Sequence, residues 1–165
     1  MKRMILLRHA KSSWAQPALN DFERPLNKRG KRDAPIMGMR LKHQKKLPDK
    51  IVSSPAKRAI STAGIIAKQL DIPKSAIRKE PGIYDASAIE LLAIIRNWQN
   101  AWETVLMVGH MPGIADLAWL LVENEVGPVP TCSVLEIELE INHWSDAGPG
   151  CGRLACVMTP KESAG

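Results

Sequence analysis

The chain has 165 residues, of which 45% are hydrophobic and 24% charged, and its formal net charge is +6. This composition is typical of a folded globular protein, and the length predicts one domain over residues 1–165. The positive charge favours acidic partners, whether phosphorylated ligands, acidic proteins or nucleic acid. With one tyrosine and one phenylalanine, the chain has no run of aromatic residues on which bases could stack, which argues against a binder of single-stranded nucleic acid.

The number and spacing of the cysteines indicate whether the protein works in a reducing or an oxidising compartment. Cys132, Cys151 and Cys156 lie late in the chain, without a CxxC pair or a companion histidine cluster, so we expect free thiols in a reducing cytosol. No apolar stretch approaches the roughly 20 residues of a membrane span, and the amino terminus has no signal-peptide pattern. We therefore expect a cytoplasmic protein with no membrane or nucleic-acid partner.

The most informative stretch lies near the amino terminus, where the apolar run from Met4 to Leu7 leads directly into Arg8 and His9. Such a run is typical of a buried strand, and its polar end would lie at the carboxyl edge of a sheet, where open α/β sheets bind ligands. A neutral imidazole is a nucleophile, and a neighbouring guanidinium can hold a phosphate through two parallel hydrogen bonds. An Arg-His pair also occurs by chance, so the assignment depends on the rest of the chain.

A loop and a basic helix are predicted next. Two prolines and mixed polarity indicate a loop over residues 14–25, and the apolar spacing predicts a helix from Asn27 to about His43, with Pro35 either kinking it or marking its true start. The basic residues of this helix form either a phosphate-binding patch or a solvated outer face, and we favour the solvated face. Three polar groups of the loop lie near the candidate site: Asp21, Glu23 and Arg24.

A second strand-helix unit places an arginine in an unusual position. Ile51 and Val52 begin a short strand, after which Ser54 is the predicted N-cap and Pro55 the predicted first helical residue. Arg58 then falls in the first turn of the helix, where the helix dipole disfavours a cation. An anionic ligand would resolve this conflict. The alternative is that Arg58 points into water.

The remaining elements continue the alternation of strands and helices. Residues 76–80 predict a strand, Ser87–Glu90 fit a capping box that opens a helix, and residues 104–108 form the clearest buried strand. A further helix and two closing strands, over residues 134–141 and 154–158, complete the chain. This order predicts a layered α/β domain with a mostly parallel central sheet flanked by helices.

Three of the predicted strands end in the same kind of chemistry. Arg8 and His9 follow the first strand, Arg58 follows the second, and His110 follows the strand over residues 104–108. Carboxyl ends of parallel strands lie on one edge, so these side chains can converge on one pocket. A lone core histidine is the commoner explanation of a residue such as His110, but its place between a glycine and a Met-Pro-Gly turn favours a pocket.

Four segments of the chain together carry a resemblance to a known family: Leu7–Trp14, Arg24–Gly30, Ser53–Ala59 and Val108–Gly113. In these segments the chain resembles the histidine phosphatase superfamily, and most closely its short SixA-type branch of phosphohistidine phosphatases. The resemblance covers Met4 to about Leu121, and the motifs occur in the family's order. Ala10 replaces the superfamily's usual glycine, as it often does in SixA-like members.

The resemblance implies that His9 is the nucleophile that takes the phosphoryl group, while Arg8, Arg58 and His110 bind its oxygens. It also implies that neither a metal nor another cofactor is needed, and that the substrate is a phosphohistidine protein or a small phosphorylated molecule. Phosphoryl transfer depends mainly on positioning and on positive groups around the phosphoryl oxygens, which agrees with this set. Three further polar residues are expected to bind substrate: Lys11, Ser12 and Arg24.

The proton donor is less clearly indicated. Members of the family often use an acid that follows the third strand, where Tyr84-Asp85 and Glu90 lie. Glu90 has a sufficient structural role in its capping box, so Asp85 is the preferred candidate. A phosphohistidine imidazole, as leaving group, needs no strong acid.

Two other functions are alternatives to hydrolysis. The first is a phosphoprotein-binding module that kept the pocket but has little turnover, and the second is a nucleic-acid binder acting through the basic helix. The presence of both histidines and both arginines favours an enzyme. The short chain lacks the insertions of phosphoglycerate mutases, so we expect an open site and hydrolysis.

Overall fold

A computed structural model describes residues 1–161 and contains one sheet with helices on both faces. In chain order the elements are β1 (Lys2–Arg8), α1 (Lys28–His43), β2 (Lys50–Ser53), α2 (Lys57–Gln69), β3 (Ile77–Lys79), α3 (Ala88–Ile95), β4 (Thr104–Gly109), α4 (Gly113–Val122), β5 (Val134–Leu139) and β6 (Gly152–Met158).

The sheet has the strand order β3-β2-β4-β1-β5-β6. The four strands from β3 to β1 are parallel to one another, whereas β5 is antiparallel to both β1 and β6. The prediction of a mostly parallel central sheet in a layered α/β domain is therefore confirmed. Because β1 and β2 both lie beside β4, the three strands that end in candidate site residues are neighbours.

Alternate residues of β1 belong to two separate apolar cores. Ile5 and Leu7 pack with the buried residues of α1 and α2, whereas Met4 and Leu6 pack with those of α3 and α4. All four side chains are fully buried. Burial on both faces explains why this strand appears in the sequence as a continuous apolar run rather than an alternating one.

The loop that follows β1 is held against the start of α1. Asn27 is the N-cap of α1, and its side chain accepts a hydrogen bond from the Gly30 N–H at 2.9 Å. A Cβ at Gly30 would lie 2.2 Å from the carbonyl oxygen of Lys11, so only glycine permits this approach of loop and helix. Pro35 lies inside α1 and does not mark its start.

The two predicted helix caps have different outcomes. The capping box of α3 is confirmed, because Ser87 and Glu90 each accept the backbone N–H of the other. The prediction for α2 is wrong: Ala56 is its N-cap without a side-chain bond, and Pro55 precedes the helix. Ser54 Oγ accepts the Ala56 N–H at 3.2 Å but also lies 2.8 Å from the ring of His110, so its hydroxyl serves the site.

Two expectations about the chain as a whole can be compared with residues 1–161. Cys132, Cys151 and Cys156 are free thiols, as predicted. Within the same residues, none of the helices has the length and apolar character needed to cross a bilayer.

Candidate active site

The convergence predicted from the strand ends is present in the structure. Arg8, at the end of β1, is paired with Gly109 at the end of β4, and Ser53, at the end of β2, is paired with Val108. The residues that follow these ends share one edge of the sheet. The rings of His9 and His110 are 5.1 Å apart between centroids.

The surroundings of His9 keep its imidazole ring neutral and fix which nitrogen carries the proton. Nδ1 lies 2.7 Å from the carbonyl oxygen of Ala10, which can only accept a hydrogen bond, so Nδ1 carries the proton and Nε2 carries the lone pair. Arg58 donates from Nε to this Nε2 at 3.3 Å. Burial is the main cause that lowers the pKa of His9 to about 3, and the positive charges of Arg58 and Arg8 act in the same direction.

Arg58 lies in the site and not in solvent, since it is only 7% exposed. The alternative in which it points into water is therefore wrong. Besides the contact with His9, its Nη1 donates to the backbone carbonyl of Asp21 at 2.6 Å, and its Nη2 donates to the Asp21 carboxylate at 2.9 Å. These bonds fix the guanidinium beside Nε2 of His9.

The carboxylate of the site is Asp21, which comes from the loop between β1 and α1. It accepts hydrogen bonds from the Tyr84 hydroxyl at 2.6 Å and from Arg24 Nη1 at 2.8 Å, in addition to those from Arg58. The bond from Tyr84, with those from Arg58 and Arg24, lowers the pKa of Asp21 to about 2, while the same bond raises the pKa of Tyr84. Asp21 is thus ionised and Tyr84 is protonated at neutral pH.

The two residues considered as proton donors form no hydrogen bond with His9, Arg58 or His110 within residues 1–161. Asp85 is exposed, has a left-handed backbone (φ 58°), and makes no hydrogen bond or ion pair with the site residues of the described chain. Glu90 is engaged in the capping box of α3. From this segment it is Tyr84 that reaches the site, with its ring 5.4 Å from that of His110.

His110 and Arg8 both present buried nitrogens without a partner. His110 Nδ1 and Arg8 Nε are buried and form no hydrogen bond, whereas His110 Nε2 lies 2.8 Å from Ser54 Oγ and Arg8 Nη1 donates to the Val129 carbonyl at 2.8 Å. Burial, with the nearby charge of Arg58, lowers the pKa of His110 to about 4. An unpaired buried nitrogen costs about 1–3 kcal/mol, so these two nitrogens are unusual among the buried polar groups of the site.

Arg24 binds other protein groups through all of its nitrogens. Nε donates to the carbonyl of Ser13 at 3.1 Å, Nη1 donates to Asp21, and Nη2 donates to Ser12 Oγ. Its guanidinium carbon lies 3.4 Å from the ring centroid of Trp14. Arg24 and Ser12 were both expected to bind substrate. In the structure they bind each other instead, and Arg24 also helps to orient the Asp21 carboxylate.

Lys11 is half-buried at the start of the same loop, and its side chain makes no hydrogen bond or ion pair within residues 1–161. The described chain also contains no group of three or more His, Cys, Asp or Glu side chains arranged to hold a metal ion. The groups that surround the imidazole of His9 are thus mainly basic: two arginines and a second histidine.

Comparisons of the sequence with known proteins identify a family and several relatives. The model of the histidine phosphatase superfamily (branch 1) matches residues 4–88. An uncharacterized chloroplastic protein of Arabidopsis thaliana is 30% identical, with 98% of this chain and 79% of that protein covered. An uncharacterized protein of Mycobacterium tuberculosis is 29% identical, over 94% of this chain and all of the relative.

Solved structures share the fold along almost the whole chain. A candidate phosphohistidine phosphatase SixA of Agrobacterium tumefaciens is 26% identical with a TM-score of 0.82, and 96% of this chain and 98% of that chain are covered. A protein histidine phosphatase SixA complexed with tungstate is 23% identical with a TM-score of 0.82, over 96% of this chain and 97% of the other. At that identity the second likeness concerns the fold alone.

Proposed function

This chain belongs to the histidine phosphatase superfamily (branch 1), and we propose that it is a metal-independent phosphatase that works through a phosphohistidine intermediate on His9. Its preferred substrate is a phosphohistidine protein, and small phosphorylated molecules are its secondary substrates. The observation that carries the proposal is the lone pair of His9 Nε2, held 3.3 Å from Arg58 Nε by the bond between Nδ1 and the Ala10 carbonyl.

The first step transfers the phosphoryl group to the enzyme. Nε2 of His9 attacks the phosphorus, so that a P–N bond forms as the bond to the leaving group breaks. Arg8, Arg58 and His110 stabilise the charge that spreads over the three phosphoryl oxygens. Because the pKa of His9 is about 3, no base is needed to free the nucleophile at neutral pH.

The second step returns the enzyme to its starting state. Water attacks the phosphorus in line with the bond to His9 Nε2, that bond breaks, and inorganic phosphate leaves with the second proton of the water transferred to solvent or to phosphate itself. The bond from Nδ1 to the Ala10 carbonyl holds the ring in the same tautomer throughout, so the two steps use the same nitrogen.

The protonation states of Asp21 and Tyr84 support phosphoramidates, rather than phosphate esters, as the better substrates. An alkyl phosphate needs a proton on its leaving oxygen, but the Asp21 carboxyl has a pKa of about 2 and the pKa of Tyr84 is raised. Neither group is therefore ready to donate a proton at neutral pH. A phosphohistidine leaves as a neutral imidazole once its own second nitrogen is protonated, so it does not need an acid from the enzyme. Asp85 stays a candidate donor for ester substrates.

Exposed apolar side chains at the same edge of the sheet support a protein substrate. Trp14 and Leu19 lie in the loop after β1, Ile89 lies in the first turn of α3, and Met111 directly follows His110; these side chains are 37–73% exposed. Exposed apolar residues that gather around a site are typical of a surface that contacts another protein. The unpaired thiols further support a reducing compartment such as the cytoplasm.

The experiment compares three substrates in the presence of a chelator: an aryl phosphate, a small phosphoramidate and a phosphohistidine peptide. The proposal predicts turnover of all three in EDTA, the highest kcat/KM for the peptide, and competitive inhibition by vanadate. Activity that disappears in EDTA and returns with a divalent metal would contradict it. If the phosphopeptide binds with micromolar affinity but is never hydrolysed, the chain is instead a phosphoprotein-binding module.

A further inference from the structure

A groove with a volume of about 660 Å³ lies on the outer side of α2, away from His9 and His110. One wall is formed by α2 and the other by the segment that leads into β3 and by β3 itself, which is an edge strand of the sheet. Half-buried isoleucines and exposed lysines give the groove its chemistry: Ile60, Ile65, Ile77, Lys68, Lys74 and Lys79.

The charged side chains that line the groove are all positive. No acidic residue lines it, and the ammonium groups of Lys68, Lys74 and Lys79 form no ion pair or hydrogen bond within residues 1–161. Three unpaired positive charges beside apolar walls are complementary to a segment in which acidic and apolar side chains alternate. Such a segment would place its apolar side chains against the isoleucines and its carboxylates near the lysines.

The upper end of the groove lies at the edge of the sheet that carries the active site. Arg58 is the second residue of α2, and Ser61, which lines the groove, follows it by one helical turn. On the other wall, Lys79 is paired with Ser53 at the carboxyl end of β2. At a rise of about 1.5 Å per residue, Lys68 is ~15 Å along the helix from Arg58, a distance that about five extended residues span.

We propose that this groove binds an acidic, partly apolar segment of the phosphorylated protein whose phosphoryl group is transferred to His9. The inference rests on the proposed function and adds the surface by which the protein substrate is chosen. A segment that leaves the active site beside Arg58 would enter the groove at Ser61 and reach Lys68 and Lys74 within a few residues. The acidic residues of the substrate are thus expected about three to seven positions from its phosphohistidine.

The test uses synthetic peptides with a fluorescent label, in which a histidine is flanked on one side or the other by Glu-Leu-Glu-Leu-Glu after a two-residue spacer. Matched peptides carry Gln in place of Glu. The unphosphorylated peptides report binding by fluorescence anisotropy, and the chemically phosphorylated peptides report kcat/KM. A small phosphoramidate reports turnover that does not depend on the groove.

The decisive variant is Lys68→Glu with Lys74→Glu, and its control is Lys45→Glu with Lys161→Glu, which changes the net charge equally at exposed positions outside the groove. We expect the wild type and the control to bind one acidic peptide at least ten-fold more tightly than its Gln counterpart. The groove variant should lose this preference in both binding and kcat/KM. All three proteins should hydrolyse the small phosphoramidate at the same rate.

The results distinguish the groove from the catalytic proposal. Equal binding of Glu and Gln peptides to the wild type, or an equal loss of preference in the control variant, would overturn the docking surface. If the acidic peptide binds through the lysines but neither the peptide nor the phosphoramidate is hydrolysed, the proposed function fails and the groove stands as a binding surface. If the phosphorylated Glu and Gln peptides are hydrolysed equally fast, the proposed function stands and the groove fails as a docking surface.

Discussion

Arg58 and His9 are 49 positions apart in the sequence, yet the guanidinium of Arg58 contacts the imidazole of His9 directly. Arg58 Nε donates to His9 Nε2 at 3.3 Å, so a positive charge lies next to the lone pair that would attack phosphorus. Asp21 holds the same guanidinium from its other side through two hydrogen bonds. The guanidinium is therefore positioned in advance, which is the condition under which an electrostatic contact contributes most to catalysis.

The first prediction concerns the loss of this contact. Arg58→Ala should raise the barrier by about 2–4 kcal/mol, which corresponds to a fall in kcat of roughly 30-fold to 1,000-fold. Arg58→Lys is the matched control, because it keeps the charge but lacks the Nε that contacts His9, and it should retain part of the activity. Steady-state kinetics with an aryl phosphate measures both. A wild-type kcat in Arg58→Ala would remove Arg58 from the catalytic machinery.

The second prediction concerns the pH dependence of stability. The pKa of His9 is lowered to about 3 and that of His110 to about 4, whereas both are close to 6.5 in the unfolded chain. Below pH 6.5 the unfolded state therefore binds more protons, so the free energy of unfolding falls as the pH falls towards 4. Each histidine contributes a slope of up to about 1.4 kcal/mol per pH unit.

The matched variant for this effect is His9→Gln, measured by urea unfolding at several pH values between 4 and 7. As the pH is lowered, the free energy of unfolding of this variant should fall less steeply than that of the wild type. The difference in slope should be the contribution of one histidine, up to about 1.4 kcal/mol per pH unit. Carboxylates titrate in the same pH range, but they change the free energy of unfolding of both proteins equally. Their contribution therefore cancels when the two curves are subtracted. Parallel curves for the two proteins would show that His9 has an ordinary pKa in the folded state.

Several of these features could be predicted from the sequence because they depend on local patterns. The apolar run of β1 was sufficient to predict a strand buried on both faces of a parallel sheet. The polar residues at three strand ends then predicted that Arg8, His9, Arg58 and His110 lie together. The role of Asp21 could not be predicted in the same way. Its loop has no periodic pattern, and its place in the site depends on contacts with Arg58 and Tyr84, which are distant in sequence.

The error at the start of α2 has a similar cause. A serine followed by proline is a good local cap signal, but Ser54 Oγ lies 2.8 Å from His110, on a different strand. A tertiary contact thus changed what the local pattern indicated. The preference for Asp85 over Glu90 as proton donor followed from the capping box of Glu90, whereas the contact of Tyr84 with Asp21 joins residues 63 positions apart and leaves no local signal in the sequence.

The third prediction separates the two carboxylates. Asp21→Asn removes the charge that orients Arg58, and since a hydrogen bond to a charged group is worth about 1.5–3 kcal/mol, kcat should fall roughly 10-fold to 150-fold. Asp85→Asn keeps a residue that tolerates the left-handed backbone and should leave phosphoramidate hydrolysis unchanged. A large loss with an alkyl phosphate in Asp85→Asn alone would instead identify Asp85 as the proton donor for ester substrates.

The fourth prediction concerns the packing of α1 against the loop that follows β1. In Gly30→Ala the new methyl group would lie 2.2 Å from the Lys11 carbonyl oxygen, so the loop must shift, and the free energy of unfolding should fall by about 1–3 kcal/mol. Gly64→Ala in α2 is the control, because its Cβ meets only the Lys74 side chain at 3.4 Å. There the helix should gain about 0.5–1 kcal/mol. Thermal or urea unfolding of both variants measures the difference, and equal stabilities would contradict the close approach.

The most direct test of the account is the identification of the phosphorylated enzyme. A rapid acid-free quench during turnover of a labelled phosphoramidate, followed by peptide mapping, should find phosphate on His9 Nε2 that is stable in base and lost in acid. His9→Gln should give neither the phosphoenzyme nor turnover while keeping the fold, as measured by circular dichroism. Turnover that continues in His9→Gln without a phosphoenzyme would contradict the central claim.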